Sequence, residues 1–253
     1  MNFILLSSCF KIPHPSKAKF GGEDACFTSN KNSALGVADG VGGWVTYRGS
    51  NSAKYSQDLM NYSKQFSYLQ NPLQILEKAF DNIDRSIPGS TTATVAKLNG
   101  NNLSIINVGD SGCGLFRDFH NIYLTKSTVH GFNFPYQLGY LSETVPSNGT
   151  IDHIPVYGDD ILVCASDGLW DNLFMSDIEQ ILWNYYDAGM DPKEFCNVAS
   201  QKLSEIAVEY AKKSGYKSPF YQEAHKNGIP MPEGGKLDDT TVVVAIVQKE
   251  DNL

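Results

Sequence analysis

The chain is short of several signals that assign a protein quickly. Its 253 residues hold five cysteines (Cys9, Cys26, Cys113, Cys164, Cys196), an odd number, and no two stand as CxxC. Cys26, Cys164 and Cys196 lie in apolar surroundings such as Val163-Cys164-Ala165. Buried free thiols in a reducing compartment are therefore expected, with neither a disulfide frame nor a Cys-based zinc site. Long hydrophobic runs are missing near the start. Phe3-Ile4-Leu5-Leu6 falls far short of a secretory core or of the ~20 residues of a membrane span, and the start is not Arg-rich. The expectation is an intracellular protein, cytoplasmic or mitochondrial, with no clear leader in this stretch and no membrane insertion. Positive charge is also scarce: 20 Lys+Arg against 28 Asp+Glu leave a net charge of −8. Such a surface repels phosphate backbones and anionic lipids, which argues against nucleic-acid binding as the main task. No fixed-period repeat or low-complexity tract divides the chain, and a monomer is the default expectation.

What is present is enough apolar material, 42% of residues, to bury one sizeable core. Residues 1–253 read as a single domain. Ala34–Ala38, Thr91–Lys97, Leu103–Val108, Cys113–Arg117, Ile122–Thr125, Ile161–Ala165 and Thr240–Val247 are apolar, largely β-branched runs of strand length, and Asn99-Gly100-Asn101-Asn102 predicts a hairpin. Helices are predicted after Asn71-Pro72, after Asp191-Pro192, and from Ser176, where Glu179 completes a capping-box pattern. Residues 217–236, rich in Pro and Gly, read as a long loop. Strands sandwiched between amphipathic helices make a layered α+β domain.

Aspartates recur where apolar strand patterns end at glycine: Val37-Ala38-Asp39-Gly40, Val108-Gly109-Asp110, and Ala165-Ser166-Asp167-Gly168-Leu169-Trp170-Asp171. Gly22-Glu23-Asp24 and Leu237-Asp238-Asp239 add two further acidic clusters at strand edges. One Asp-Gly is an ordinary turn, and the pattern alone leaves that reading open. Carboxylates gathered from several strand ends would repel one another unless protons or cations intervene, and their hard oxygens suit Mg²⁺ or Mn²⁺. No EF-hand loop and no Cys-x5-Arg loop is present.

GEDA (22–25), VADGVGG (37–43), GSTTA (89–93), NVGDSG (107–112), ASDGLWD (165–171) and DDTTVVV (238–244) stand in the order and rough spacing of the protein phosphatase 2C family, which the chain resembles from about residue 21 to 247. Residues 1–20 are a segment ahead of those blocks. The DGVGGW form, the His130 to Leu138 segment and the 218–236 stretch resemble the branch of mitochondrial T-cell-activation phosphatase homologues. The resemblance implies a four-layer αββα sandwich and a Mg²⁺- or Mn²⁺-dependent hydrolase of phosphoserine and phosphothreonine proteins, in which a metal-bridging hydroxide attacks phosphorus. It implies that Asp39 bridges two ions, that Glu23 and the Gly40 carbonyl serve one, and that Asp167 and Asp238 serve the other. Asp24 would hold metal-bound water, and Asp110 and Asp171 match positions linked to a weaker third ion.

The match departs from the family in places. Lys19 stands where the family has a phosphate-binding Arg, with Lys17 or Arg48 as substitutes. Val41 replaces the His that protonates the leaving group, a role open to a metal-bound water or His130. Gly112 replaces an Arg, and Asp238-Asp239 replaces Asp-Asn. Ser90, Thr91 and Thr92 are expected to support the sheet, and Trp44 and Trp170 to pack beneath the site loops. Two alternatives stay open: a pseudophosphatase that binds partners without turnover, and a small-molecule phosphomonoesterase.

Overall fold

Strict alternation along the strands builds the layers. The computed structural model describes residues 2–250 (Val45 by its backbone alone). One antiparallel sheet holds β1 (Phe3–Ile12), β7 (Gly112–Arg117), β8 (His120–Leu124), β13 (Ile161–Ala165) and β14 (Thr240–Lys249) in the order β1-β14-β13-β7-β8. The other holds β2 (Ala25–Ser29), β3 (Ala34–Ala38), β5 (Ala93–Asn99), β6 (Asn102–Val108) and β12 (Thr150–Pro155) in the order β12-β6-β5-β3-β2. Successive side chains of a strand point to opposite faces. On β14, Val243, Ala245 and Val247 therefore meet Leu35, Val37 and Ile105 of the facing sheet, while Val242, Val244 and Ile246 turn outward under helices.

Those outer faces are covered on both sides. α1 (Ser52–Gln65) and α2 (Pro72–Asn82) bury Leu59, Met60, Ile75 and Phe80 against β2, β3, β5 and β6. α3 (Asp167–Trp170), α4 (Met175–Tyr185) and α5 (Pro192–Ala211) bury Leu169, Ile181, Phe195 and Leu203 against the other sheet. The result is the expected αββα sandwich with three apolar layers. Two short pairs, β4 (Ser90–Thr91) with β11 (Leu138–Gly139) and β9 (Val129–Gly131) with β10 (Phe134–Pro135), and α6 (Pro219–Lys226) belong to the connections between the layers. No helix among the described residues is long and apolar enough to cross a membrane.

Several local expectations need correction. The segment ahead of the motif blocks supplies β1, which pairs with β14 along its whole length from Phe3↔Lys249 to Ile12↔Thr240. The α4 cap lies two residues early: the Phe174 N–H donates to Asp177 Oδ2 at 2.9 Å, while Glu179 accepts the Asn121 N–H at 2.8 Å. The 217–236 loop contains α6, capped by Ser218, whose hydroxyl oxygen accepts the Tyr221 N–H at 3.1 Å. The cysteines are not all free. Disulfides join Cys9 to Cys26 and Cys113 to Cys164, and Cys196 alone remains a buried thiol. The apolar neighbours marked burial for Cys164 and Cys196, while Cys26 is half-buried, and the Cys113–Cys164 pairing follows from register, since the two stand directly opposite on β7 and β13.

Candidate active site

Register brings the acidic strand ends to one end of the sandwich. β2 and β3 pair Ala25 with Ala38, so Glu23 and Asp24, before β2, adjoin Asp39, after β3. In the facing sheet Ala165 of β13 pairs with both Gly112 and Val242, so Asp167 shares an edge with Asp110 and Asp238. The Asp39 backbone is fixed by Thr92 N–H to Asp39 O at 2.9 Å and by Asp39 N–H to Thr92 Oγ1 at 3.2 Å. Gly40 donates its N–H to Glu23 O at 3.2 Å, and a Cβ there would lie 2.6 Å from that same oxygen. Only glycine permits so close an approach of the two site loops.

A cavity of about 620 Å³ opens at this end, lined by Asp39, Gly40, Val41, Asp110, Asp167 and Asp238, with Lys17 and Lys236 among them. Trp44, Tyr47, Phe134 and Pro135 supply an apolar wall. Trp44 therefore stands in the wall rather than beneath it, with its indole N–H donating to Ser90 Oγ at 2.7 Å. Trp170 packs as expected, donating to the Ala165 carbonyl at 3.0 Å. Thr92 lines the cavity as well, its hydroxyl 2.8 Å from that of Ser111.

Eight carboxylates meet two ammonium groups here. Lys236 Nζ contacts Asp167 Oδ2, and lies 2.9 Å from Asp171 Oδ2 and 3.3 Å from Asp238 Oδ2. Lys17 Nζ lies 2.6 Å from Glu23 and 3.2 Å from Asp239. Asp239 is buried and pins the 14–23 loop, accepting the His14 N–H at 2.7 Å and the Glu23 N–H at 2.9 Å. Asp24 is fully buried and accepts the Ser166 hydroxyl at 2.7 Å.

The crowding is visible in proton affinity. Burial, then the charges of Asp167, Asp24, Asp238 and Asp110, push the Asp39 carboxyl well above the usual carboxylate range. Burial, with Asp239 adding to it, raises Asp24 to about 7. Burial and Asp167 likewise raise Asp110 and Asp171 to about 7, although Lys236 opposes both. Burial acts on Asp167 in the same direction, but the Lys236 ammonium reverses it and holds that carboxyl below the usual range. Burial disfavours the charge on Lys236, and Asp167, Asp171 and Asp238 outweigh it, leaving the ammonium well above its ordinary value.

Among the described residues, no three His, Cys, Asp or Glu side chains already surround one point as a finished ligand set. The Lys17 and Lys236 ammonium groups pair with five of these carboxylates, Glu23, Asp167, Asp171, Asp238 and Asp239. The donor set nevertheless fits a hard divalent cation. Asp24 Oδ1 and Asp167 Oδ1 are buried without a hydrogen-bond partner, and carboxylate oxygens are the ligands Mg²⁺ and Mn²⁺ favour.

The other expected residues divide plainly. Lys19 is exposed, its ammonium 5.8 Å from the Phe20 ring centre, and it does not line the cavity; Lys17 does. Arg48 is exposed away from the lining. His130 is exposed and stacked on Tyr136 at 4.4 Å between ring centres, outside the lining. Lys236 and Ser166 escaped the sequence reading, although Lys236 lies only two residues before Asp238.

The protein phosphatase 2C family profile matches residues 15–130. Probable protein phosphatase 2C 80 of Arabidopsis thaliana is 39% identical over 251 residues, covering 96% of this chain and 58% of that protein. The X-ray structure of the photosystem II phosphatase PBCP superposes with a TM-score of 0.86 at 30% identity, over 96% of this chain and 98% of that one. The chain belongs to the protein phosphatase 2C family. The catalytic domain of the serine/threonine phosphatase PstP, solved in complex with two manganese ions, shares the fold at a TM-score of 0.66 and 19% identity, over 98% of this chain and 100% of that one. The chain spans 58%, 52% and 53% of the length of three curated relatives, the probable protein phosphatases 2C 80 and 55 of Arabidopsis thaliana and 71 of Oryza sativa subsp. japonica.

Proposed function

We propose that the chain is a Mg²⁺- or Mn²⁺-dependent phosphatase of phosphoserine and phosphothreonine proteins with a two-ion centre. Glu23, Asp39, the Gly40 carbonyl, Asp167 and Asp238 hold the ions in this reading, with Asp24 behind them and Asp110 and Asp171 alongside. One observation carries it: eight carboxylates converge at the end of the sandwich, two ammonium groups among the described residues form ion pairs with them, and the buried Oδ1 atoms of Asp24 and Asp167 lack hydrogen-bond partners. Family membership and the two manganese ions of the fold neighbour PstP support the same reading.

Bound there, divalent ions supply Lewis-acid charge, which acidifies water and offsets the charge of phosphoryl oxygens. The chain's own residues do the rest. Asp39 sits where burial and four neighbouring carboxylates disfavour negative charge, which a bound cation would relieve. Asp24 is held by the Ser166 hydroxyl, which in turn accepts the Thr241 N–H at 3.0 Å, and its other oxygen is buried without a hydrogen-bond partner. Lys17, on the lining and 30% exposed, is the cation available to a substrate phosphate, in the role first assigned to Lys19. Trp44, Tyr47 and Phe134 give the cavity an apolar side suited to a peptide chain around the phosphorylated residue.

Hydrolysis of an aryl phosphate and of a phosphothreonine peptide tests this directly. Turnover is expected with Mn²⁺ and not with excess chelator, and it should be lost in Asp39→Asn and Asp167→Asn. Turnover that survives chelation or either substitution would end the proposal.

A further inference from the structure

Lys236 is a second point of interest in the nest, because its placement is built rather than incidental. Its backbone is clamped on both sides by one side chain: Lys236 N–H donates to Asn172 Oδ1 at 2.9 Å, and Asn172 Nδ2 donates to Lys236 O at 2.8 Å. Asn172 is itself fully buried, and its carbonyl accepts the Tyr216 hydroxyl at 2.9 Å. Gly235 lets this segment lie directly on α5, since a Cβ there would stand 2.5 Å from Ala211 Cα and 2.6 Å from Asn172 Oδ1. The stem passes the Phe220 ring at 5.3 Å from ammonium to ring centre, and the ammonium ends among Asp167, Asp171 and Asp238 with the side chain only 18% exposed.

We propose that Lys236 is a resident cation of the centre: its ammonium takes the place a third divalent ion would occupy between Asp167 and Asp171, and it fixes the number of bound ions at two. The inference rests on the metal-dependent reading above. The geometry points this way because Lys236 engages one face of Asp167 and leaves the other. Oδ2 of Asp167 meets the ammonium, while Oδ1 is buried without a partner and the carboxyl lies against Asp39. Lys236 is thus a positioning residue that keeps Asp167 turned toward the ions near Asp39. Asp171 Oδ2 is taken by the same ammonium, so a divalent ion at Asp171 would have to expel a buried positive charge from its carboxylate partners. Replacing the ammonium with an uncharged side chain of similar length reverses this. Asp171 then loses its ion-pair partner beside Asp167, an arrangement a further divalent ion relieves.

Mn²⁺ titration of the full chain by calorimetry, with free Mn²⁺ counted from its electron paramagnetic resonance signal, tests the proposal without recourse to turnover. Wild type and Lys236→Arg are expected to bind two ions, Lys236→Met three, and the Lys236→Met/Asp171→Asn double variant two again. Far-UV circular dichroism checks the fold, and Lys236→Gln replaces Lys236→Met if the latter does not fold. Three ions in wild type, or an unchanged two in the uncharged variant, overturns the proposal while leaving the metal-dependent reading intact. Failure of wild type to bind Mn²⁺ at all overturns that reading, and this inference with it.

Discussion

Asp24→Asn isolates the cost of one buried charge. Asp24 is fully buried, and its carboxyl is raised from 3.8 to about 7 by burial first and by Asp239 and Asp167 in addition. A carboxyl whose pKa is higher in the folded chain than in the unfolded one favours folding most when both forms are protonated. Its contribution is then lost as pH climbs from about 4 through about 7. The rise corresponds to roughly 4 kcal/mol once Asp24 is ionised, at about 1.36 kcal/mol per pH unit. Asparagine has nearly the same shape, keeps an oxygen to accept the Ser166 hydroxyl and carries no charge. In chelator, the variant should therefore be more stable than wild type above pH 7, by up to about that amount. For a chain of this size, that is a gain on the order of 10 °C in melting temperature.

Thermal unfolding in chelator at half-unit steps from pH 5 to 9 reads the effect. The gap between Asp24→Asn and wild type should widen up to about pH 7 and then stay level. Added Mn²⁺ should narrow or invert it, since ion binding stabilises the chain that holds ions better. A gap independent of pH, or an Asp24→Asn chain less stable than wild type at pH 8 in chelator, refutes the buried-charge reasoning.

Other expectations follow from the same geometry. Asp39→Asn or Asp167→Asn should lower Mn²⁺ affinity by more than about 100-fold in calorimetry, because even residues that only orient metal ligands are worth about 10–100-fold. Ser166→Ala, which removes the hydroxyl bound to Asp24, should fall within that 10–100-fold range. Lys17→Met should raise KM for a phosphopeptide several-fold, while Lys19→Met, exposed and off the lining, should leave it unchanged. Leu115→Ala, fully buried between the sheets, should lower stability in urea by about 2–5 kcal/mol with little change in Mn²⁺ affinity.

Much of the fold was legible because its strands are short apolar runs with clear stops. Ala34–Ala38 and Ile161–Ala165 appear with the predicted bounds, and Asn71 and Asp191 cap α2 and α5 as their sequence pattern requires. α1 was not legible, since serines fill half of its buried stripe: Ser52, Ser56 and Ser63 beside Tyr55, Leu59 and Met60. A helical period written partly in hydroxyls does not register as apolar. β1 was hidden for a different reason. Its inward residues Phe3 and Leu5 alternate with half-exposed ones, and its identity as a strand comes from ten pairs with β14, more than two hundred residues away. The disulfide partners stand 17 and 51 residues apart, and the packing of the strands, not a local pattern, brings them together.

The site shows the same division between local and distant causes. Each acidic residue of the nest follows or precedes a strand, so a pattern of strand ends and glycines finds them, and the register of two sheets then brings them together. The cations obey no such pattern. Lys17 and Lys236 come from loops, and their aim is set by packing: Asp239 draws Lys17 and the 14–23 loop inward, and Asn172 with Gly235 directs Lys236. Lys19, two residues from Lys17, has the same charge and nearly the same sequence surroundings, yet points to solvent. A match by sequence position therefore identifies where negative charge accumulates but not which positive charge answers it. That choice matters to function, because the carboxylates outnumber the two ammonium groups eight to two, and the remainder must be answered by protons or by divalent ions. Each ammonium that enters the nest reduces the number of ions needed to do so.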